Sequence, residues 1–128
     1  MNKLIIDAVS EKIFLMIISN ASIYNITHEN TKINYEKLTI IINNFLLSKS
    51  IKIADINAIY INQGSGSFAG IRNSMSVVKA FNVAKNIDYY CYNLEDFEDE
   101  NDLSHEKIPD LCKKYKIKKN LIKPIYIS

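Results

Sequence analysis

The order of apolar segments along the chain is the feature that most constrains its fold. Three short apolar runs near the amino terminus, over residues 4–7, 13–18 and 22–27, are separated by polar turns and predict a β-meander. Helical and extended patterns then alternate: a helix over 34–48 with Asn34 as its N-cap, a strand over 58–61, a helix over 71–85 and a strand over 87–92. This order predicts an α/β domain built on a mixed five-stranded sheet.

A three-stranded meander extended by two helix–strand units is the topology of the ribonuclease-H-like fold, the half-domain from which the actin-like ATPase superfamily is built. We therefore predict one such domain over residues 1–96. Residues 97–128 are predicted to form an acidic linker, a short amphipathic helix and a basic tail. The linker follows from the acidic run within residues 95–106, and the tail from the lysines between 107 and 123.

Composition excludes several classes of protein. With 48% hydrophobic and 23% charged residues, the 128-residue chain can bury an ordinary core. A net charge of +2 is too small for direct binding of nucleic acid. No apolar run approaches the ~20 residues of a membrane helix. Cys91 and Cys112 form no CxxC pair, which predicts buried, reduced thiols, no metal site and a cytoplasmic location.

A glycine-rich segment lies between the predicted fourth strand and the following helix. It is not a Walker A loop, because Ile71 and Arg72 stand where Lys and Ser or Thr are required. Two interpretations remain: a tight structural turn, or an anion site at the start of a helix. Arg72 is expected to form an ion pair with Asp7, with Glu36 or with an acid of a partner. The candidate anion contacts are Gly64, Ser65, Gly66, Ser67, Phe68, Gly70 and Arg72.

Residues 64–72 resemble the Gly-Pro-Gly-Ser-Phe-Thr-Gly-Leu-Arg signature of the bacterial TsaB (YeaZ) family, with Ser65 and Ala69 in place of Pro and Thr. Residues 4–10 resemble that family's opening Ile-Asp-Thr-Ser strand, and residues 76–81 its Ala-Lys-Gly-Leu helix. Residues 124–127 are similar to its closing Pro-x-Tyr-Leu. The resemblance extends from Met1 to about Asp96 and implies a shortened TsaB that lacks most of the second lobe.

The resemblance implies a non-catalytic role, without cofactor or catalytic residues. The chain would be a scaffold subunit that binds a TsaD-like catalytic subunit in threonylcarbamoylation of tRNA adenosine. A TsaE-like ATPase would join the larger complex, and tRNA would be contacted only indirectly. The alternative from another functional class is the nucleotide-binding half-site of an actin-like ATPase-fold enzyme.

In the family, the two helices that flank the glycine loop pack against TsaD. In this chain, their core faces are predicted to be Leu38, Ile41, Ile42, Phe45 and Leu46 in the first helix, and Ile71, Ser74, Met75 and Val78 in the second. Two alternatives to this interface remain. The same helices could form a homodimer, or both could be buried beneath the carboxyl-terminal segment and face no partner. The predicted partner-interface residues are Ile40, Asn43, Asn44, Leu47, Asn73, Val77, Ala80 and Ala84.

The sequence argues against two hydrolase classes. A ribonuclease-H-like nuclease needs converging carboxylates, and Asp7 in the first strand supplies one. The end of the fourth strand holds Asn62 and Gln63 instead of a second acid, so Asp7 is expected to be a hydrogen-bonded structural residue. His28 and His105 are too far apart in sequence for the paired histidines of a metalloprotease helix.

Overall fold

The structure of the chain is a computed structural model that describes residues 1–20, 22–64 and 69–122. Short 3-10 turns at Ile53–Asp55, Leu94–Phe97 and His105–Lys107 connect its regular elements. In chain order, the helices and strands are β1 (Lys3–Asp7), β2 (Lys12–Ile18), β3 (Ile23–Glu29), α1 (Lys32–Glu36), α2 (Leu38–Ser48), β4 (Ala58–Asn62), α3 (Ala69–Lys85), β5 (Asp88–Tyr92) and α4 (Ile108–Lys114).

The five strands form one mixed sheet in the order β3-β2-β1-β4-β5. The meander pairs antiparallel, from β1 to β2 and from β2 to β3, whereas β4 lies parallel to both β1 and β5. β1 is central, and Leu4 lies opposite Ile17 on one side and Ile59 on the other. This topology confirms the predicted ribonuclease-H-like α/β fold.

The helical region after β3 differs from the predicted single helix over 34–48. The helix begins earlier, with Thr31 as the N-cap, and it is interrupted at Lys37, where α1 ends and α2 begins. The Thr31 hydroxyl accepts a hydrogen bond from the Asn34 backbone N–H at 3.4 Å. Asn34 does not cap the helix; its side-chain amide donates to the Glu29 carbonyl at 2.8 Å and ties the helix to the end of β3.

Side chains alternate between two hydrophobic cores on opposite faces of the sheet. On one face, Leu4 and Ile6 of β1 pack with the buried sides of α2 and α3. On the other, Ile5 packs with Tyr92, Phe97 and the apolar side of α4. Within the described residues, the carboxyl-terminal segment therefore covers the face opposite α2 and α3. Its residues up to 122 therefore do not bury those two helices.

Both cysteines are buried and form no disulfide within the described chain, in agreement with the predicted reduced thiols. Cys91 belongs to the core beneath α2 and α3, and Cys112 to the core beneath α4. The proposed division after residue 96 stays a prediction. Phe97, the first residue beyond it, is fully buried against the sheet face that α4 covers, so the described carboxyl-terminal residues complete the core of this domain.

The outer edge of β5 is covered by the chain that follows α4. Lys119 forms an isolated antiparallel bridge with Tyr90. The backbone N–H of Asn120 donates to the Tyr89 carbonyl at 2.7 Å, and its side-chain oxygen accepts from the Tyr89 N–H at 3.0 Å. Its side-chain amide donates to the Asp88 carboxylate at 2.9 Å. Asn120 thus satisfies backbone groups that an edge strand would leave open.

Candidate functional site

A polar cluster forms where β1 and β4 end, next to the start of the glycine loop. Asp7 and Asn62 are the last residues of these strands, and the Asn62 amide donates to Asp7 Oδ2 at 3.3 Å. His105 Nε2 lies 2.9 Å from the same carboxylate oxygen. The His105 ring stacks on Phe14 with its centroid 4.0 Å away. The cluster therefore joins the carboxyl-terminal segment to the centre of the sheet.

The charge on Asp7 is stabilised by its neighbours. Burial raises the pKa of Asp7. Hydrogen bonds from His105 and Asn62 lower it, as do the charge of His105 and the hydrogen bond from the Val9 N–H. Together these effects outweigh burial, so the pKa of Asp7 lies below 3.8. Tyr92 lies nearby, and its hydroxyl is buried with no hydrogen-bond partner in the described chain. Burial, with the charges of Asp7 and Cys112, raises the pKa of Tyr92 well above 10.0, so the phenol stays neutral.

The geometry agrees with the expected structural role of Asp7. Its carboxylate is held by an amide, an imidazole and a backbone N–H, and Asn62 occupies the position at which a nuclease would need a second acid. Among the residues that the structure describes, no three or more His, Cys, Asp or Glu side chains are grouped as metal ligands. Sequence reasoning missed the contact of Asp7 with His105 because 98 positions separate the two residues.

We expect Asp7→Asn to change how the stability of the chain depends on pH. Because the folded-state pKa of Asp7 is lowered, its charge contributes stability above the unfolded pKa of about 3.8, and this contribution is lost as pH falls through the folded pKa. The free energy of unfolding, measured in urea from pH 2 to pH 7, should differ most between wild type and Asp7→Asn at neutral pH, and the curves should converge in acid. The exposed Asp99→Asn is the matched control, and a gap that does not vary with pH would contradict this role.

Two glycines of the loop are explained by packing. Gly64 has a φ of +54°, and a Cβ there would lie 2.6 Å from Val9 Cγ1. A Cβ on Gly70 would lie 2.5 Å from Asn30 Oδ1. The Asn30 amide cannot easily move aside, because it donates to the Ala8 carbonyl at 2.9 Å and to the Ser10 carbonyl at 2.7 Å. These contacts give a packing reason for glycine at both positions, and the tight structural turn between them stays a prediction.

The remaining predicted loop contacts divide into two groups. Ser65, Gly66, Ser67 and Phe68 lie outside the described residues. A small open cavity of about 180 Å³ is lined by Val9, Asn62, Gly64, Leu94 and Glu95. The candidate anion site at the loop stays a prediction.

The prediction that Arg72 forms an ion pair with Asp7 or Glu36 is wrong. Arg72 is exposed near the start of α3, whereas Asp7 is held by His105, and Glu36 lies 4.0 Å from Lys32 one turn earlier in α1. Within the described chain, Arg72 forms no salt bridge. An acid of a partner stays a prediction for this side chain.

The core faces of α2 and α3 are confirmed. The residues predicted to cover the sheet are buried, with Ile41 half-buried. On the opposite sides, Ile40 and Leu47 are each 59% exposed, and Asn44, Ala80 and Ala84 are exposed. Three predicted interface residues are only half exposed: Asn43, Asn73 and Val77, the last packed against the core.

Sequence reasoning missed the most exposed apolar side chain of α3. Val83 is 78% exposed and follows Ala80 by three positions, so helical spacing could have placed the two on one side. We name the exposed apolar residues of α2 and α3 the outer helical surface: Ile40, Leu47, Ala80, Val83 and Ala84. Three large exposed apolar side chains on two helices of the same sheet face make this side of the domain a candidate protein-binding surface. None of the described helices is long and apolar enough to cross a bilayer.

Comparisons with known proteins give structural matches only. No family model and no curated protein sequence matches the chain. YeaZ from Pseudomonas aeruginosa matches with a TM-score of 0.65 at 16% identity, over 72% of this chain and 43% of YeaZ. A Pseudomonas aeruginosa protein with similarity to the peptidase YeaZ matches with a TM-score of 0.66 at 16% identity, over 72% of this chain and 43% of that protein. Thermus thermophilus RuvC, in complex with a Holliday junction substrate, gives 0.55 at 10% identity, over 97% of this chain and 83% of RuvC.

These matches agree on the architecture of the chain. The two neighbours differ in how much of their own length is matched. The chain spans less than half of YeaZ but is aligned over most of RuvC. Identities of 16% and below show a shared fold. The chain thus has the ribonuclease-H-like α/β fold and resembles part of YeaZ (TsaB) in structure, as it does in its glycine-loop sequence.

Proposed function

We propose that the chain is a non-catalytic scaffold subunit that binds a TsaD-like catalytic subunit in threonylcarbamoylation of tRNA adenosine. The observation that carries this proposal is the outer helical surface on a YeaZ-like fold. Ile40, Leu47 and Val83 expose 59%, 59% and 78% of their surface on the two helices that flank the glycine loop. Burial of these side chains against a partner helix would remove apolar surface from water, which favours association.

The small side chains of α3 support the same assignment. Ala80 and Ala84 are exposed and lie one turn apart, next to Val83. Alanine lets the backbone of a partner helix approach closely, while Asn44 on α2 supplies an exposed amide. Exposed apolar side chains together with small side chains and an amide suit a protein interface.

The surroundings of Asp7 support a non-catalytic role. Its carboxylate is already held by His105 Nε2 at 2.9 Å and by Asn62 Nδ2 at 3.3 Å. The alternative, a nucleotide half-site at the glycine loop, is not favoured, because Gly64 and Gly70 are required by contacts with Val9 and Asn30.

The proposal is tested by recovery of the tagged chain from extracts of its own cells, with mass spectrometry of the bound proteins. We expect a TsaD-like protein, and a TsaE-like ATPase only when the TsaD-like protein is present. Depletion of the chain should reduce threonylcarbamoyladenosine in tRNA. Unchanged tRNA together with no TsaD-like partner would contradict the scaffold role. Size-exclusion chromatography of the purified chain distinguishes a monomer from a homodimer through the same helices.

A further inference from the structure

A cavity of about 490 Å³ lies on the sheet face that α4 covers, away from the outer helical surface. This volume is within the range of sites for small organic ligands. Its polar lining comes from β1, β4 and β5 on one side and from α4 and the residues after it on the other: Lys3, Tyr60, Tyr90, Asp110, Lys113 and Lys116.

The cavity has an excess of positive charge. Lys3, Lys113 and Lys116 form no salt bridge with any described residue, whereas neighbouring Lys114 pairs with Glu100 at 2.9 Å. Asp110 is the carboxylate among the described lining residues, so three lysines face one acid. Such an excess in a partly enclosed cavity attracts anions, because low-dielectric walls strengthen the field of the charges.

Lys116 occupies an unusual backbone position. It follows α4 with a φ of +56°, in the left-handed region where helix ends usually carry glycine. A lysine side chain at this position costs some backbone stability, and here it lines the cavity.

Two tyrosines supply aromatic surface and two hydroxyl donors. Tyr60 is buried and Tyr90 half-buried, so most of the accessible ring belongs to Tyr90. Tyr60 and Tyr90 are register partners on β4 and β5, and their rings stack with centroids 5.0 Å apart and planes 11° apart. Neither hydroxyl is hydrogen-bonded to a described residue. Burial, with the charges of Tyr90, Cys112 and Asp110, raises the pKa of Tyr60 to about 12, so its hydroxyl is a donor at neutral pH.

We propose that this cavity binds an organic phosphate that carries a planar ring, with the lysines at the phosphate and the tyrosine pair against the ring. Lysine ammonium groups and hydroxyls are good donors to phosphate oxygens, and phenol rings pack well on planar rings. A free nucleotide carries both groups, and so does each unit of a single-stranded nucleic acid. The net charge of only +2 favours the free nucleotide as the source. The site is separate from the glycine loop and from the outer helical surface.

The test is a titration of the full-length, ¹⁵N-labelled chain with four probes, followed by NMR: AMP, adenosine, inorganic phosphate and a single-stranded RNA decamer. AMP should shift amide signals of Tyr60, Tyr90 and Lys113. Adenosine and inorganic phosphate, which each lack one half of the ligand, should bind at least about tenfold more weakly, the factor expected for one lost charged contact. Tighter binding of the decamer than of AMP would identify the polynucleotide as the source, and the reverse would identify the free nucleotide.

Variants locate the site. Lys113→Glu combined with Lys116→Glu should weaken AMP binding by at least about tenfold, whereas Lys118→Glu, an exposed lysine outside the lining, should bind as wild type does. Well-dispersed spectra show that each variant is folded. Tyr60→Phe with Tyr90→Phe should weaken AMP binding while the ring-induced shifts remain. Equal binding by the double lysine variant and Lys118→Glu, or shifts away from the cavity, would overturn the proposal.

Discussion

Replacement of Phe97 by alanine is expected to destabilise the chain by about 3–5 kcal/mol, the usual cost of removing a fully buried aromatic side chain. Phe97 is 0% exposed, and its ring lies 5.7 Å from that of Tyr92 and 5.5 Å from that of Tyr115. It joins β5 to the residues after α4, so its loss leaves a cavity between them. Small domains are stable by about 5–15 kcal/mol, and this change removes a large part of that margin.

Urea unfolding monitored by circular dichroism measures the effect. Leu94→Ala is the matched control, because Leu94 begins the same 3-10 turn and is 43% exposed. It should change the free energy of unfolding by about 0.5 kcal/mol or less, as surface substitutions do. Equal losses for the two variants would show that the carboxyl-terminal segment does not depend on Phe97 for its attachment to the sheet.

Replacement of Ala80 by arginine is expected to abolish binding of a TsaD-like subunit. Ala80 is an exposed residue of the outer helical surface, so the isolated chain should keep its fold and its stability. In the complex, the new guanidinium would be buried without a partner, at a cost of several kcal/mol. A cost of about 3 kcal/mol already weakens binding more than a hundredfold.

Calorimetry with the purified partner measures this loss. Ala54→Arg adds the same charge at an exposed alanine outside α2 and α3, and should bind as wild type does. An unchanged association constant for Ala80→Arg would show that α3 is not the binding face. Because Ala80 lies far from the cavity beneath α4, AMP binding should be the same in both variants.

The element order could be predicted from the sequence because each strand and helix carries its own apolar pattern. The residues 13–18 and 58–61 are continuous apolar runs, and they form the buried strands β2 and β4. The interruption at Lys37 could not be predicted in this way, since residues on both sides of it fit a single helical pattern. The N-cap of the first helix was misassigned because Thr and Asn both favour this position. In the structure Thr31 caps the helix, and the Asn34 amide instead donates to the Glu29 carbonyl at the end of β3.

Contacts between distant residues were beyond the reach of sequence patterns. The pairing of Asp7 with His105 depends on how the carboxyl-terminal segment returns to the sheet, and periodicity describes only neighbours along the chain. The same limit applies to the cavity beneath α4. Tyr60 and Tyr90 are 30 positions apart, and they meet only because β4 and β5 pair in parallel register.

The contacts of Asn120 along β5 affect how copies of the chain can meet at high concentration. An open sheet edge recruits strands from other molecules and is a common origin of aggregation. At the β5 edge, Asn120 already bonds to the backbone of Tyr89 and to the side chain of Asp88. The opposite edge is β3, where Glu29 is paired with Lys12 of β2. Strand addition between molecules is therefore directed to β3, so that charged residues placed along this strand would protect the protein during storage.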